Sequence, residues 1–147
     1  MEIAAICKNT ATAHEVEVRT GSSTQSLAVP AKAAGRGSNV NGGEFLMLAL
    51  ATCYCNDLYR EAERMGISIQ GAEVEAVAEF PGVGLAATNI RYRAKVDSSA
   101  PASEIARLLR ETDAVAEVHT IRSARAFRSS CWRTFRAPSD CSRRDSS

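Results

Sequence analysis

The residues most able to do chemistry in this chain of 147 residues are its five cysteines: Cys7, Cys53, Cys55, Cys131 and Cys141. The number is odd, and no two cysteines have the Cys-x-x-Cys spacing of a typical zinc site. This pattern favours free or reactive thiols in a reducing compartment over a disulfide scaffold, so we expect a cytoplasmic protein. It gives no reason to expect a metal ion or a cofactor.

Cys53 and Cys55 stand out because they lie together in the longest apolar stretch of the sequence. A partly exposed thiolate is a strong nucleophile, whereas a cysteine within an apolar helix is most often a small buried side chain. On a helix the two side chains would point roughly 200° apart, at about 100° per residue, so they cannot form a disulfide bond without unwinding it. We therefore expect any chemistry of this protein to take place near these two residues, without a disulfide bond between them.

A long helix is predicted to hold both cysteines. Residues 41–66 read NGGEFLMLALATCYCNDLYREAERMG, with Asn41 as a candidate cap at the start and Gly66 as a stop at the end. Residues 45–51 are apolar on every face, which predicts that the first half of the helix is deeply buried. From Leu58 onward the apolar residues fall on one side, so the second half is expected to reach water.

Alternating apolar and polar residues predict antiparallel strands on both sides of this helix. Short runs at 3–6, 14–19 and 27–29 indicate a hairpin before it, and runs at 67–80 and 89–96 flank a Pro-Gly-Val-Gly turn after it. In the second pair, glutamates alternate on one strand and basic residues on the other, which is a favourable cross-strand match.

A second helix is predicted after Ser98, with Pro101 near its start. Thr112 and Asp113 could cap a fresh turn, so the helix could break there. Beyond it the periodicity degrades, and a last strand is expected within 126–135.

The end of the chain differs from the rest in charge. The whole chain has 18 Lys and Arg, 17 Asp and Glu, and a formal net charge of +1. Residues 122–147 carry seven of these basic residues and two of the acidic ones, so the remainder is acidic. We expect one domain at 1–136 and a mobile, basic tail at 137–147. No folded motif indicates nucleic-acid binding, and no apolar run is long enough to span a membrane.

This layout resembles the OsmC/Ohr family of thiol-dependent organic hydroperoxide reductases. The resemblance covers about residues 14–121, and its core is the helix with the segment LALATC, among strands, a glycine-rich loop and a second helix. It implies an α+β fold in which antiparallel sheets pack on a long central helix. It also implies an intertwined homodimer, in which a second copy would explain why residues 45–51 are apolar on every face.

The resemblance assigns roles to several residues, although parts of the family pattern are missing. It implies that Cys53 is the peroxidatic cysteine. The family's catalytic glutamate falls on Gly43, with Glu44 displaced by one, and the helix dipole alone would also explain Glu44. Peroxidatic members carry a resolving cysteine in the second helix, where this chain has none, so Cys131 is the better candidate here.

Two functions remain open. In the first, Cys53 reduces small organic hydroperoxides in an oxidative-stress response, with Cys131 as the resolving thiol. In the second, the protein is a non-peroxidatic member that binds a small apolar or thiol ligand in the dimer cleft, where Tyr54 and Tyr59 are candidate lining residues. The weak candidates for the arginine that the family carries near its first hairpin are Arg19 and Arg36.

Overall fold

The computed structural model describes residues 1–116 and the backbone of a short strand at 133–135. Its elements follow in the order β1 (Ile3–Asn9), β2 (His14–Thr20), β3 (Ser23–Leu27), α1 (Gly42–Met65), β4 (Gly71–Glu79), β5 (Thr88–Asp97), α2 (Ala102–Val115) and β6 (Arg133–Phe135). Strands β1–β3 form one antiparallel sheet and β4–β6 form another. The predicted α+β class is therefore confirmed. The chain divides into two compact units, Met1–Phe45 and Leu46–Ser147.

The first unit contains the sheet β1-β2-β3, with β2 in the centre. Val16 of β2 lies opposite Cys7 on one side and Leu27 on the other. Gly21 turns the chain between β2 and β3 with φ +57°, a conformation that glycine adopts without steric cost. The predicted hairpin is confirmed, although its third strand is Ser23–Leu27 and not 27–29.

Among the described residues, this first sheet has no buried core. None of residues 1–45 is buried, and the apolar side chain of Ile3 is 69 % exposed. Burial of apolar area is the main force that holds a sheet in place, so a three-stranded sheet without a buried side chain is marginal by itself.

Helix α1 begins and ends where the sequence predicts. The Asn41 side chain accepts a hydrogen bond from the backbone N–H of Glu44 at 3.0 Å, and the Glu44 carboxylate accepts one from the Asn41 N–H at 2.7 Å. These reciprocal bonds form a capping box, which satisfies N–H groups that have no partner within the helix. At the other end Gly66 takes φ +67°, and the Ile67 N–H donates to the carbonyl of Ala62 at 2.9 Å.

Within the single chain, the first half of α1 is not buried as expected; its burial by a second copy stays a prediction. Leu46 is 43 % exposed and Leu48 is 58 % exposed, while the remaining residues of 45–51 are at most half-buried. The buried side chains all lie in the second half: Tyr54, Asp57, Leu58, Glu61 and Ala62. The reason is that the core cluster packs on the second half and includes no residue of 45–51.

Strands β4 and β5 form the predicted antiparallel pair around the Pro-Gly-Val-Gly turn. Val74 lies opposite Ala94 and packs with it against the core. On the alternate positions, Glu75 lies opposite Arg93 and the two side chains form an ion pair at 2.6 Å. The predicted match between acidic and basic residues is therefore confirmed for this pair. Strand β6 pairs with β5, so the expected last strand is present at 133–135, and the rest of 126–135 lies outside the described residues.

Helix α2 completes the core of the second unit. Pro101 precedes it as N-cap residue, and Leu108 and Thr112 are fully buried within it. The break allowed at Thr112 and Asp113 is absent, because the Thr112 hydroxyl donates to the carbonyl of Leu108 at 2.9 Å and the helix continues to Val115. No helix in the part of the chain that the structure describes is both long and apolar enough to cross a membrane.

Candidate functional site

Cys53 lies near the middle of α1, where the helix changes from uncovered to buried. Its side chain is half-buried, and its thiol donates a hydrogen bond to Oδ2 of Asp57, with 3.8 Å between sulfur and oxygen. The two residues are four apart and so face the same side of the helix. Asp57 is therefore positioned to accept the thiol proton when the sulfur attacks an electrophile.

Asp57 is a nearly buried carboxylate, 5 % exposed. Arg60, one turn further along α1, places Nη1 2.9 Å from the Asp57 Oδ1. The guanidinium offsets part of the Asp57 charge, and its Nε also lies 3.5 Å from Oε1 of Glu61. Cys53, Asp57 and Arg60 thus form a thiol–carboxylate–guanidinium chain along one helix.

The ionic chain continues past Asp57 to the end of α1. Glu61 is 4 % exposed and accepts a 2.6 Å bond from Nε of Arg64, whose Nη2 lies 3.2 Å from Glu111 on α2. The bond from Arg64 holds the pKa of Glu61 below its ordinary value of 4.5, against the opposing effect of desolvation. The same bond raises the pKa of the Arg64 guanidinium. These ion pairs connect α1 to α2 on the C-terminal side of Cys53.

A second polar cluster lies beside Cys53 on the core side of α1. The hydroxyl groups of Tyr54 and Tyr92 both donate to Oδ1 of Asp113, at 3.0 and 2.8 Å. The two rings pack at a centroid distance of 4.8 Å and are 4 % and 6 % exposed. Asp113 on α2 therefore links Tyr54, the residue after Cys53, to Tyr92 on β5. These bonds hold this part of α1 against the core.

The other residues predicted for the site are distributed differently. The Glu44 carboxylate accepts a hydrogen bond from the Asn41 N–H, and the Glu44 N–H donates to the Asn41 side chain, so Glu44 acts as part of the helix cap and a catalytic role for it stays a prediction. Cys131 lies outside the described residues. Cys55 is a half-buried free thiol and forms no bridge with Cys53, in agreement with their spacing on the helix.

The structure also shows where the arginine and tyrosine candidates from the sequence lie. Arg19 lies on β2 and pairs with Glu2 at 3.3 Å, whereas Arg36 is exposed in the loop before α1. Tyr54 is buried in the core, whereas Tyr59 is 45 % exposed. That the two tyrosines line a ligand cleft stays a prediction.

Sequence reasoning missed the partners of this region. The Cys-x-x-x-Asp spacing of Cys53 and Asp57 could have indicated their contact, because it places both on one helix face. No local signal joins Asp113 to Tyr54, which is 59 residues away in sequence. Among the described residues, no group of three or more His, Cys, Asp or Glu side chains is placed to hold a metal ion.

Several solved structures share this fold. An OsmC-like protein from Mycoplasma pneumoniae superposes with TM-score 0.55 at 16 % identity, covering 81 % of this chain and 84 % of that chain. An organic hydroperoxide resistance protein OsmC from Legionella pneumophila, also described as a predicted redox protein, gives TM-score 0.55 at 16 % identity, with coverage of 82 % and 88 %. An OsmC-like protein of unknown function from Vibrio cholerae gives TM-score 0.59 at 16 % identity, with coverage of 84 % and 94 %.

At this level of identity the three structures establish the fold, and they confirm the OsmC-like arrangement expected from the sequence. No curated protein sequence gives a significant match. A family model described as OsmC-like protein matches residues 35–126, more than half of the 147 residues, and the chain therefore belongs to the OsmC-like protein family.

Proposed function

We propose that this protein is a thiol-dependent organic hydroperoxide reductase with Cys53 as its peroxidatic cysteine. The observation that carries the proposal is the half-buried Cys53 thiol, which donates to Asp57 at 3.8 Å while Arg60 lies 2.9 Å from the same carboxylate. Membership of the OsmC-like family supports it. So does the likeness to a Legionella pneumophila protein described as an organic hydroperoxide resistance protein.

The first chemical step transfers one oxygen atom to sulfur. Asp57 accepts the thiol proton, and the Cys53 sulfur attacks the terminal oxygen of the hydroperoxide. The O–O bond breaks, the alkoxide leaves, and the proton held by Asp57 converts it to an alcohol. Cys53 retains the terminal OH as a sulfenic acid, so sulfur is oxidised by two electrons and the peroxide is reduced by two.

The second step regenerates the thiol. The thiol of Cys131 attacks the sulfenic sulfur of Cys53, water leaves, and a disulfide forms between them. A dithiol reductant then exchanges with this disulfide and restores both cysteines. Cys55 does not replace Cys131 in this step, because its side chain diverges from Cys53 on the helix.

We also propose that the active form is a homodimer. The uncovered first half of α1, with Leu46 and Leu48 at 43 % and 58 % exposure, is the apolar surface that a second copy would cover. A first sheet without a buried residue supports the same assembly. Cys53 lies directly after this surface, so the partner would restrict access of water to the sulfur.

The test is the consumption of cumene hydroperoxide in the presence of dithiothreitol. We expect turnover by the wild-type protein and a loss of at least about 100-fold in Cys53→Ser, since removal of a nucleophile eliminates the covalent step. Cys55→Ser is the matched control, two residues away on the same helix, and should retain activity within about twofold.

Asp57→Asn tests the proton acceptor. It keeps the size of the side chain but cannot take the thiol proton, so kcat/KM should fall by about 10²–10⁴-fold. Equal turnover by the wild-type protein and Cys53→Ser would rule out the proposal. It would leave the second function, the binding of a small apolar or thiol ligand in the dimer cleft.

A further inference from the structure

Asp57 has a different partner on each of its two carboxylate oxygens. Oδ2 accepts the hydrogen bond from the Cys53 thiol, and Oδ1 lies 2.9 Å from Nη1 of Arg60. Asp57 is nearly buried, whereas the side chain of Arg60 is 55 % exposed. A buried carboxylate without a partner is costly, so the positive charge that Arg60 brings from the solvent side stabilises Asp57 at this place.

The bond from Arg60 also decides how the Asp57 carboxylate is turned. Among the residues that the structure describes, Arg60 is the only cationic side chain within 4.0 Å of Asp57. The last torsion of an aspartate side chain is broad, so a carboxylate without a fixed partner turns easily. When one oxygen is bound, the other points in a fixed direction. Here the free oxygen is Oδ2, and it faces the Cys53 thiol.

Arg60 is itself held by a second carboxylate. Its Nε lies 3.5 Å from Oε1 of Glu61, and Oε2 of Glu61 accepts the 2.6 Å bond from Arg64. The guanidinium group is planar, so contacts with two carboxylates at Nη1 and Nε fix its plane as well as its position. The guanidinium therefore keeps its place at Asp57, although more than half of the side chain is exposed.

We propose that Arg60 is a positioning residue for the reaction of Cys53. It acts through Asp57, because its bond to Oδ1 keeps Oδ2 directed at the thiol proton that Asp57 accepts. This inference rests on the proposed function, in which Cys53 is the nucleophile and Asp57 the proton acceptor. It adds the residue that sets the orientation of the acceptor, and it places that residue on the same helix, three positions after Asp57.

The experiment measures how fast Cys53 of the full-length protein, in its native assembly, reacts with iodoacetamide at neutral pH. Mass spectrometry identifies the modified cysteine, and no hydroperoxide is needed. In Arg60→Gln the rate should fall by about tenfold, because the acceptor is no longer held by a bond between charged groups. Arg60→Lys keeps the charge and can still donate to Oδ1, so its rate should return to within about threefold of the wild-type rate.

Arg64 provides the matched control. It lies one turn further along the same helix, its side chain is also 55 % exposed, and it pairs with the buried Glu61. Arg64→Gln therefore removes a comparable ion pair but leaves the bond between Arg60 and Asp57. We expect a lower free energy of unfolding in this variant, whereas Cys53 should react within about twofold of the wild-type rate.

A double-mutant cycle shows whether Arg60 acts through Asp57. Asp57→Asn removes the carboxylate that Arg60 orients, so adding Arg60→Gln to this variant should change the alkylation rate by less than about twofold. With cumene hydroperoxide as substrate, Arg60→Gln alone should lower kcat by about tenfold and leave KM unchanged, because the orientation of Asp57 affects the chemical step and not the binding of the peroxide.

Four results would overturn the inference. They are a Cys53 that does not react in the wild-type protein, a wild-type rate in Arg60→Gln, an equal loss of rate in Arg64→Gln, and a loss from Arg60→Gln that persists in Asp57→Asn. Failure of the proposed function gives a different result. The protein would then not consume hydroperoxide, whereas the alkylation rates would still follow the expected pattern and support the role of Arg60.

Discussion

The two halves of helix α1 differ in what covers them. Residues 46–51 are all apolar, yet Leu46 and Leu48 are 43 % and 58 % exposed. The second half carries Asp57, Glu61 and two arginines, yet Leu58 is fully buried there. Apolar composition alone therefore does not decide which half is buried within a chain. The packing of β4, β5 and α2 decides which half is buried. Cys53 lies where the two halves meet.

The largest expected effect is in the buried half. Leu58→Ala removes a fully buried side chain from the core and should lower the free energy of unfolding by about 3–5 kcal/mol. The measurement is urea unfolding at constant protein concentration. Leu85→Ala is the matched control, since Leu85 is 60 % exposed in the β4–β5 turn and should cost less than about 0.5 kcal/mol. Similar losses in both variants would show that the core is misplaced.

The exposed half should matter for assembly. Wild-type protein is expected to sediment as a dimer at micromolar concentration, and Leu48→Glu should raise the dissociation constant by at least about 100-fold by placing a charge in an apolar interface. Ala114→Glu, an exposed site on α2, is the control and should leave the dimer intact. A well-folded wild-type monomer would contradict the assembly proposed here.

Weakening the cluster of Tyr54, Tyr92 and Asp113, which lies beside Cys53 where the two halves of α1 meet, should have an intermediate effect on stability. Tyr92→Phe removes the 2.8 Å hydrogen bond to Asp113 and leaves the ring in place, so unfolding free energy should fall by about 1.5–3 kcal/mol, the range for a bond to a charged group. Tyr59→Phe, at a 45 % exposed ring, should change it by less than about 0.5 kcal/mol. If both substitutions have the same small effect, the cluster does not fix α1.

The smallest expected effect is a pH dependence at the end of the buried half. The pKa of Glu61 is lowered in the folded chain, so its contribution to stability is present above its ordinary value of 4.5 and is lost as the pH falls through the lower folded-state pKa. Glu61→Gln should therefore destabilise the protein at pH 7 and flatten the loss of stability in this acidic range. Urea unfolding between pH 7 and pH 3 measures it, with exposed Glu63→Gln as control. An unchanged acid profile in Glu61→Gln would contradict the ion pair with Arg64.

The sequence was sufficient for features that local chemistry determines. The limits of α1 follow from the capping pair Asn41 and Glu44 and from the left-handed glycine Gly66, all within a few residues of the helix ends. The pairing of β4 with β5 follows from period-two alternation. The contact of Cys53 with Asp57 is equally local, since four residues are about one helical turn, but the sequence analysis missed it.

Features that depend on distant contacts were not predictable in this way. Which half of α1 is buried depends on where β4, β5 and α2 pack, and the apolar run at 45–51 gave the wrong answer for the single chain. The bond between Tyr54 and Asp113 joins residues that no sequence pattern relates.

The most direct test of the proposed role of Cys53 is the fate of its sulfur. The native protein is treated with one equivalent of cumene hydroperoxide, sulfenic acids are trapped with dimedone, and the thiols are mapped by mass spectrometry. We predict that Cys53 is recovered as the dimedone adduct or as a disulfide with Cys131, while Cys55 remains reduced. Recovery of Cys53 as an unmodified thiol would contradict its role as the peroxidatic cysteine, provided that a small-molecule thiol is oxidised by the hydroperoxide under the same conditions.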